Sequence, residues 1–319
     1  MKIFILITIF VLIVAGCSQD SPKPVAQKAQ PQKPAITVPQ FDGANAFKYL
    51  TAQTDFGPRN PNSKGHDNCL QYLQSEMRKY ADAVNLQPFT MPGYKNETLK
   101  LTNIISSFNL QSTSRILLVS HWDTRPMADQ ETLAQKKNKP VLGANDGASG
   151  IAIMLEMARH FKSAPPPIGV DMLFVDGEDY GNESDLKNYF LGARYFAKHK
   201  PNGYAPVFAI LLDMVGDKQL EIKREPYSLR FAPDIVNLVW STAKEIGVSQ
   251  FADAEQRPVA DDHLPLNEAG IRTIDLIDFD YPDETNKYWH TLEDTPDKCS
   301  SESLEAVGKV LLTVIYRQQ

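Results

Sequence analysis

Four apolar segments, each followed at once by an acidic residue or a histidine, most constrain how this chain can fold. They are residues 115–120, 170–175, 207–212 and 273–277. Each is rich in Val, Ile, Leu or Phe, which is typical of strands buried on both faces of a mostly parallel sheet. Ligands bind beyond the carboxyl ends of such strands, so the polar residues that follow them are expected to converge.

The rest of the chain alternates helical with extended patterns. Helices are predicted over residues 45–54, 63–80, 146–161, 189–198, 233–246 and 303–316, and an antiparallel strand pair over 84–91 and 98–108. Strands that alternate with helices along a chain form layered α/β structures. The predicted fold is therefore a three-layer α/β sandwich, in which helices flank a central mixed, mostly parallel β-sheet.

Composition excludes several classes of protein. The chain has 319 residues, of which 42% are hydrophobic and 23% are charged, as in an ordinary globular protein. Its formal net charge is -6, and it has no cluster of Lys and Arg. Nucleic-acid surfaces need concentrated positive charge, so no nucleic-acid partner is expected.

The first 17 residues have the order of a secretory signal. Lys2 precedes an apolar run over residues 3–15, which is shorter than the roughly 20 residues of a membrane-spanning helix. The run ends in Val-Ala-Gly-Cys, which resembles a bacterial lipobox; an ordinary cleaved signal is the alternative. We predict a lipoprotein signal peptide over residues 1–16 and lipidation of Cys17. The protein would then be exported and held by its lipid anchor alone, on the periplasmic or outer-membrane face.

Residues 17–40 are rich in Pro, Gln, Lys and Ala, without hydrophobic periodicity, and predict a disordered tether behind the lipidated Cys17. A single catalytic domain is predicted over residues 41–319. It retains Cys69 and Cys299, which could pair in an oxidising compartment. A buried free thiol is the alternative for Cys69, which lies in a predicted helix.

The candidate site residues are His121, Asp146, Asp179, Asp213 and His290, and each has a structural explanation when taken alone. Asp146, for example, stands where a helix is predicted to begin, and Asp is a preferred N-cap residue. Together they offer nitrogen and oxygen ligands of the kind that zinc takes at catalytic sites. Carboxylates crowded at strand ends would also repel one another without a cation.

Six motifs in order carry a resemblance over roughly residues 41–319. They are H-W-D-T at His121, G-A-N-D-G-A-S-G at Gly143, F-V-D-G-E-D at Phe174, L-L-D-M-V-G at Leu211, D-D-H-L-P at Asp261 and Y-W-H-T at Tyr288. With them the chain resembles the zinc aminopeptidase and glutaminyl cyclase superfamily, and within it the bacterial glutaminyl-peptide cyclotransferases.

The resemblance implies one of two metal arrangements. In the aminopeptidase branch, two zinc ions would share Asp146, with His121 and Asp213 completing one site and Asp179 and His290 the other. In the cyclase branch, one zinc ion would bind Asp146, Asp179 and His290, which leaves His121 and Asp213 as a possible remnant of the second site. Asp179 departs from the family pattern, where Glu is commoner.

The resemblance also implies catalytic roles. Glu178 would carry a proton, and Asp261 would hydrogen-bond toward Asp213 and keep it from binding a second metal. Trp289 would form a wall against the substrate; ordinary core packing is the alternative.

The function implied is zinc-dependent cyclisation of the N-terminal glutamine of peptides or proteins to pyroglutamate, with release of ammonia. The alternatives are a di-zinc aminopeptidase that removes N-terminal residues, and a peptide-binding lipoprotein without catalysis. Two long polar loops, residues 125–141 and 180–188, follow candidate site residues and are expected to shape the substrate pocket.

Overall fold

The computed structural model describes residues 37–182 and 185–318, together with Val11 and Gly16. The predicted lipidation site at Cys17, most of the signal peptide and residues 17–36 of the tether lie outside the described residues. Residues 37–40, the end of the predicted tether, have no regular secondary structure. Within the described residues, the apolar helices are too short for any of them to span a bilayer.

Helices and strands alternate through the described residues. The helices are α1 (Gly43–Thr54), α2 (Lys64–Tyr80), α3 (Ser149–Ser163), α4 (Leu191–His199), α5 (Pro226–Phe231), α6 (Pro233–Glu245), α7 (His263–Glu268) and α8 (Ser301–Tyr316). The strands are β1 (Ala83–Pro92), β2 (Thr98–Phe108), β3 (Arg115–His121), β4 (Gly169–Val175), β5 (Phe208–Asp213), β6 (Ile222–Arg224), β7 (Phe251–Glu255) and β8 (Thr273–Ile277). All the predicted elements are present. The sequence pattern missed α5, α7, β6 and β7, which are too short to show a hydrophobic period.

Six strands form the central sheet in the order β1-β2-β4-β3-β5-β8. The β1 and β2 strands pair antiparallel, and β2 is antiparallel to β4. The β4, β3, β5 and β8 strands run parallel to one another. This confirms the predicted mixed, mostly parallel sheet; β6 and β7 form a separate two-stranded parallel sheet.

Alternate residues of the central strands pack on opposite faces of the sheet. In β3, Ile116 and Leu118 belong to the core that contains α1, α3 and α8, whereas Leu117 and Val119 pack with residues of α4 and α7. Helices pack against both faces of this strand, so the side chains on both faces are buried. This explains why the sequence of the strand is uninterruptedly apolar. The predicted three-layer sandwich is confirmed.

The carboxyl ends of three central strands bring polar residues to one edge of the sheet. His121 ends β3, Asp213 ends β5, and the turn after β4 carries Glu178 and Asp179. The prediction that Asp278, after β8, would join them is wrong. Its carboxylate accepts the backbone N–H groups of Glu221 and Asp280, so it fixes the loop beside β6 instead.

The two cysteines of the domain do not pair. Cys69 lies in α2 and Cys299 precedes α8, and both are free and buried. Burial raises the pKa of the Cys69 thiol to about 12. The alternative of a buried free thiol, as expected for Cys69, therefore holds.

Gly150, in the first turn of α3, gives a test of this packing. A Cβ at this position would collide with the Oγ of Ser120 in β3 and the carbonyl oxygen of Leu212 in β5. Ala is intrinsically better than Gly in helices by about 1 kcal/mol. We nevertheless expect Gly150→Ala to lower the free energy of unfolding, by roughly 1–3 kcal/mol, because the helix must move off the sheet.

Urea unfolding measures the effect. Lys162→Ala, at an exposed position of the same helix, is the control and should change stability by less than about 0.5 kcal/mol. Equal or greater stability of Gly150→Ala would contradict the close contact between α3 and the sheet.

Candidate active site

A cavity of about 330 Å³ opens at the carboxyl edge of the central sheet. Its polar lining consists of Asp146, Glu178, Asp179, Asp213, Asp261, Arg257 and His290. Its apolar lining includes Phe190, Val259, Ile277, Phe279 and Trp289. The volume is at the small end of the range for ligand sites, and an apolar wall facing a few polar groups suits one side chain with a polar head.

Asp146 is held by the loop between β3 and α3. The N-cap residue of α3 is Ala148, without a side-chain hydrogen bond, so Asp146 is not the helix cap. Its own backbone N–H donates to Asp294 Oδ2 at 3.2 Å, while Gly147 next to it has φ +104. A Cβ on Gly147 would collide with the carbonyl of Asp123, so glycine lets the loop approach β3. The carboxylate of Asp146 is thereby left free for the cavity.

Glu178 and Asp179 project from a tight turn that follows β4. Gly177 supplies the left-handed backbone conformation, with φ +77. Asp123 accepts the backbone N–H groups of Glu178 and Asp179 at 3.1 and 3.3 Å. The Phe190 N–H donates to the Glu178 carbonyl oxygen at 3.0 Å. The backbone of both acids is thus fixed from two sides.

His121 joins two of the carboxylates. Its Nε2 lies 3.1 Å from Asp213 Oδ1 and 3.1 Å from Asp146 Oδ1. Burial lowers the pKa of this imidazole, but the neighbouring carboxylates of Asp123, Asp146 and Asp213 outweigh that effect and raise it well above its ordinary value. A proton or a metal ion on Nε2 would each offset the charge of the surrounding acids.

His290 lies on the other side of Asp146. Its Nε2 is 3.1 Å from Asp179 Oδ1 and 3.6 Å from Asp146 Oδ2. The His290 backbone has φ +54, a left-handed conformation that is uncommon for residues other than glycine. Backbone strain of this kind concentrates at functional sites, where the surrounding structure enforces it.

The donor set fits zinc. Two buried groups, His121 with Asp146 and Asp213, and Asp146 with Asp179 and His290, each place three ligand atoms within 4.8 Å of one another. Both Nδ1 atoms of the imidazoles are buried without a hydrogen-bond partner. Zinc is commonly bound by three nitrogen and oxygen ligands with one position left open. Each group supplies three such ligands. Because Asp146 belongs to both groups, the residues could bind one zinc ion or two.

The buried acids of the cavity differ in proton affinity. Burial, and then the charge of Asp179, raise the pKa of Glu178 well above its ordinary value. Burial likewise raises the pKa of Asp261, with the charges of Asp213 and Asp262 adding to it. Burial would also raise the pKa of Asp179, but the charges of His290 and Arg125 lower it overall. Asp179 thus stays ionised while Glu178 holds a proton readily.

Three supporting residues were not predicted from the sequence. Arg125 donates to Asp179 Oδ1 at 3.0 Å, Asp123 holds the turn after β4, and Asp294 accepts the N–H groups of Asn145 and Asp146. The two-residue spacing of Asp123 from His121 at a strand end is a signal that could have identified it. Asp294 lies in an irregular segment and gives no such signal.

Asp261 and Trp289 both line the cavity, as predicted. Asp261 is buried; its Oδ1 accepts the backbone N–H of Asp262 and its Oδ2 has no hydrogen-bond partner, so the predicted hydrogen bond toward Asp213 is not formed in the described residues. The indole of Trp289 is half-buried, stacks on His290 with ring centroids 3.6 Å apart, and meets Phe279 edge-on at 5.1 Å. Trp289 is therefore part of the cavity wall and also packs against neighbouring rings.

The two predicted pocket loops behave differently. Leu186, in the loop over residues 180–188, lines the cavity. Among the described residues, none of the loop over 125–141 does so; instead its Arg125 and Asp129 stand behind Asp179 and His290. The lining segment that the sequence did not predict is residues 257–260, directly before the predicted Asp261.

Comparison with known proteins identifies the family to which this chain belongs. The sequence pattern of peptidase family M28 matches residues 103–315. The chain belongs to peptidase family M28.

Three solved structures share the fold over their whole length. A glutaminyl cyclase from Bacteroides thetaiotaomicron, solved with N-acetylhistamine, is 40% identical with a TM-score of 0.85, over 89% of this chain and 100% of that chain. A Zn-dependent exopeptidase from Parabacteroides distasonis is 38% identical (TM-score 0.84; 88% and 100%). A glutaminyl cyclase from Tannerella forsythia is 37% identical (TM-score 0.84; 88% and 100%).

The chain is also similar in sequence to an aminopeptidase. Aminopeptidase YwaD of Bacillus subtilis is 24% identical over 86% of this chain, and the match spans 57% of that longer protein. The family thus contains relatives named for both of the reactions that the sequence motifs imply.

Behind Asp261, this M28 domain buries a polar cluster with few hydrogen bonds. Asp262, His263 and Asp275 are almost fully buried. None of the four carboxylate oxygens of Asp262 and Asp275 has a hydrogen-bond partner in the described residues. His263 lies 3.5 Å from Glu225 Oε2 and 3.7 Å from Asp275 Oδ2. Burial, and then the charges of Asp261 and Glu225, raise the pKa of Asp275 well above its ordinary value.

Asp275→Asn tests this electrostatic strain. The folded protein binds the Asp275 proton more tightly than the unfolded chain, so this contribution to stability is lost as pH rises from about 4 through the folded-state pKa. Asn mimics the protonated acid and has no such loss. The free energy of unfolding of Asp275→Asn, relative to the unsubstituted protein, should therefore increase with pH.

Urea unfolding across that pH range, at constant zinc, measures the difference. Glu305→Gln, at an exposed position, is the control and should show no trend. A difference that stays flat or falls with pH would show that Asp275 is ionised in the folded protein.

Proposed function

We propose that this domain cyclises the N-terminal glutamine of peptides or proteins to pyroglutamate and releases ammonia. The observation that carries the proposal is the arrangement of Glu178 beside the group of Asp146, Asp179 and His290, within a small cavity walled by Trp289. Similarity of 37–40% to two bacterial glutaminyl cyclases over almost 90% of the chain supports it.

The shape of the cavity suits a single glutamine side chain. A volume of about 330 Å³ holds one residue and leaves the rest of the peptide at the mouth. The acids and imidazole at the floor can receive the carboxamide and α-amine, while Trp289 and Phe279 contact the methylene groups. This placement would fold the side chain back on its own amine, so nucleophile and electrophile start close together.

Asp146, Asp179 and His290 would hold one zinc ion. When bound, zinc supplies a Lewis acid that polarises the carboxamide carbonyl and stabilises negative charge that develops on its oxygen. We propose one ion rather than two because the raised pKa of Asp261 favours its protonated form, which could donate a hydrogen bond to Asp213 once the substrate is bound. An acid engaged in that way is a poor zinc ligand.

Glu178 is the proposed proton carrier. The α-amine attacks the carboxamide carbon, the new C–N bond closes the five-membered ring, and the bond to the departing nitrogen breaks. Glu178 takes the proton that the amine loses and delivers it to the leaving ammonia. Burial raises the pKa of Glu178, which makes it a stronger base toward the amine proton than an exposed glutamate would be.

Asp213 and Asp261 are proposed to orient the reacting amine and Glu178 by hydrogen bonds. Both line the cavity and are buried, as such positioning requires. No nucleophile from the protein is needed, because the substrate provides its own.

A di-zinc aminopeptidase is the second candidate, and the second ligand group, His121 with Asp146 and Asp213, is the observation that favours it. Such an enzyme would hydrolyse the first peptide bond with water. It would share the cavity and the substrate terminus with the cyclase, but it would release a free amino acid.

We further propose that the protein is exported and anchored to a membrane through a lipid on Cys17, on the periplasmic or outer-membrane face. The lipobox-like residues 14–17 and the Pro-rich and Gln-rich residues 17–40 support this location. A lipid anchor would leave the catalytic domain free to meet peptide and protein N-termini.

Mass spectrometry of a short peptide that begins with glutamine tests the reaction. We expect the peptide to lose one ammonia and otherwise stay intact. Release of free glutamine would replace the cyclase proposal with the aminopeptidase, and recovery of unchanged peptide in the presence of zinc would contradict both.

Two substitutions separate the proton carrier from the metal ligands. Glu178→Gln should reduce kcat by about 10²- to 10⁴-fold, because proton transfer is lost, while zinc content stays unchanged. His290→Ala should lose both turnover and zinc. The assays are ammonia release and metal analysis, with the exposed Glu305→Gln as the matched control. Loss of zinc from Glu178→Gln, or full zinc in His290→Ala, would overturn the respective assignment.

A further inference from the structure

One exposed cation lies at the mouth of the catalytic cavity. Arg257 is the only Lys or Arg among the described residues that line the cavity. It begins a lining segment, residues 257–261, in which Arg257, Pro258 and Ala260 are exposed, whereas Val259 and the final Asp261 are buried. The segment therefore runs from the mouth, at Arg257, to the floor, at Asp261.

The guanidinium of Arg257 has a defined position. It lies 4.5 Å from the centroid of the Phe279 ring, and its Nη2 donates to the Phe279 carbonyl oxygen at 3.3 Å. Phe279 in turn packs edge-on against Trp289, the proposed wall for the glutamine side chain. Cation–π contact with an aromatic face stabilises such a placement. A chain of two contacts thus fixes Arg257 relative to the substrate cavity.

Arg257 also keeps hydrogen-bonding capacity to spare. Within residues 37–182 and 185–318, it forms no salt bridge, and its only hydrogen bond is the one to Phe279. A guanidinium has five N–H donors, so most of them remain available. Arg125, by contrast, is buried and bound to Asp129 and Asp179. Of the two, Arg257 is the one available to a substrate.

We propose that Arg257 is a specificity residue that recognises the residue after the N-terminal glutamine and favours an acidic side chain there. This inference rests on the proposed cyclase function, which places the glutamine at the floor and directs the peptide out through the mouth. A carboxylate on the second residue would meet the guanidinium there, and planar guanidinium groups bind carboxylates through paired hydrogen bonds.

The test compares kcat/KM for two peptides, Gln-Glu-Ala and Gln-Lys-Ala, by ammonia release. The unsubstituted protein should prefer Gln-Glu-Ala, and Arg257→Gln should lower the ratio of the two values by about 1.5- to fivefold, as expected for exposed charge pairs. High salt should reduce the preference of the unsubstituted protein, because exposed charges are screened. Using a ratio cancels changes that affect both peptides equally.

Arg230→Gln is the matched control. Arg230 is also exposed, and its guanidinium also lies over a phenylalanine ring, Phe231, at 5.5 Å, but it does not line the cavity. Its loss should leave the ratio unchanged. A ratio that Arg257→Gln does not lower, or that Arg230→Gln lowers equally, would overturn the role of Arg257 while leaving cyclisation established. Absence of pyroglutamate from both peptides would instead overturn the proposed function, and with it this inference.

Discussion

Repulsion among buried carboxylates is the constraint on which this structure depends. Asp146, Glu178, Asp179, Asp213 and Asp261 line one small cavity. Two like charges about 4 Å apart repel by about 4 kcal/mol at the effective dielectric of a protein. The fold tolerates the group because His121, His290 and Arg125 contact its members, and because some acids hold protons. A zinc ion would remove much of the remaining repulsion, so metal binding and stability of the site are linked.

The same electrostatics divides the acids into roles. Asp179 contacts the Arg125 guanidinium and the His290 imidazole, which together lower its pKa, so it stays ionised, as a metal ligand must be. Glu178, one residue earlier, lies 3.9 Å from His121 Nδ1, but burial and the charge of Asp179 outweigh that contact and raise its pKa, so it holds a proton readily, as a proton carrier must. The turn after β4, fixed by Asp123 and by the start of α4, points adjacent side chains into these different environments. Local backbone geometry, rather than residue type, separates the two functions.

The sequence predicted the central sheet well because its strands are buried on both faces and read as uninterrupted apolar segments. It also predicted which residues meet, since residues that end adjacent parallel strands, such as His121 and Asp213, share an edge. Asp278 failed this rule because its carboxylate is occupied by backbone N–H groups, which no sequence pattern reveals. Arg125, Asp294 and the lining segment over 257–260 were missed for a related reason, because they lie in irregular segments whose contacts depend on tertiary structure.

The central claim is that Asp146, Asp179 and His290 bind one zinc ion, whereas Asp213, next to the readily protonated Asp261, binds none. Native mass spectrometry of the purified protein after exposure to excess zinc and removal of weakly bound metal tests it most directly. We expect one zinc ion per chain, and the same count in Asp213→Ala. Two retained ions, or loss of the single ion in Asp213→Ala, would show that Asp213 is a ligand and would contradict this account.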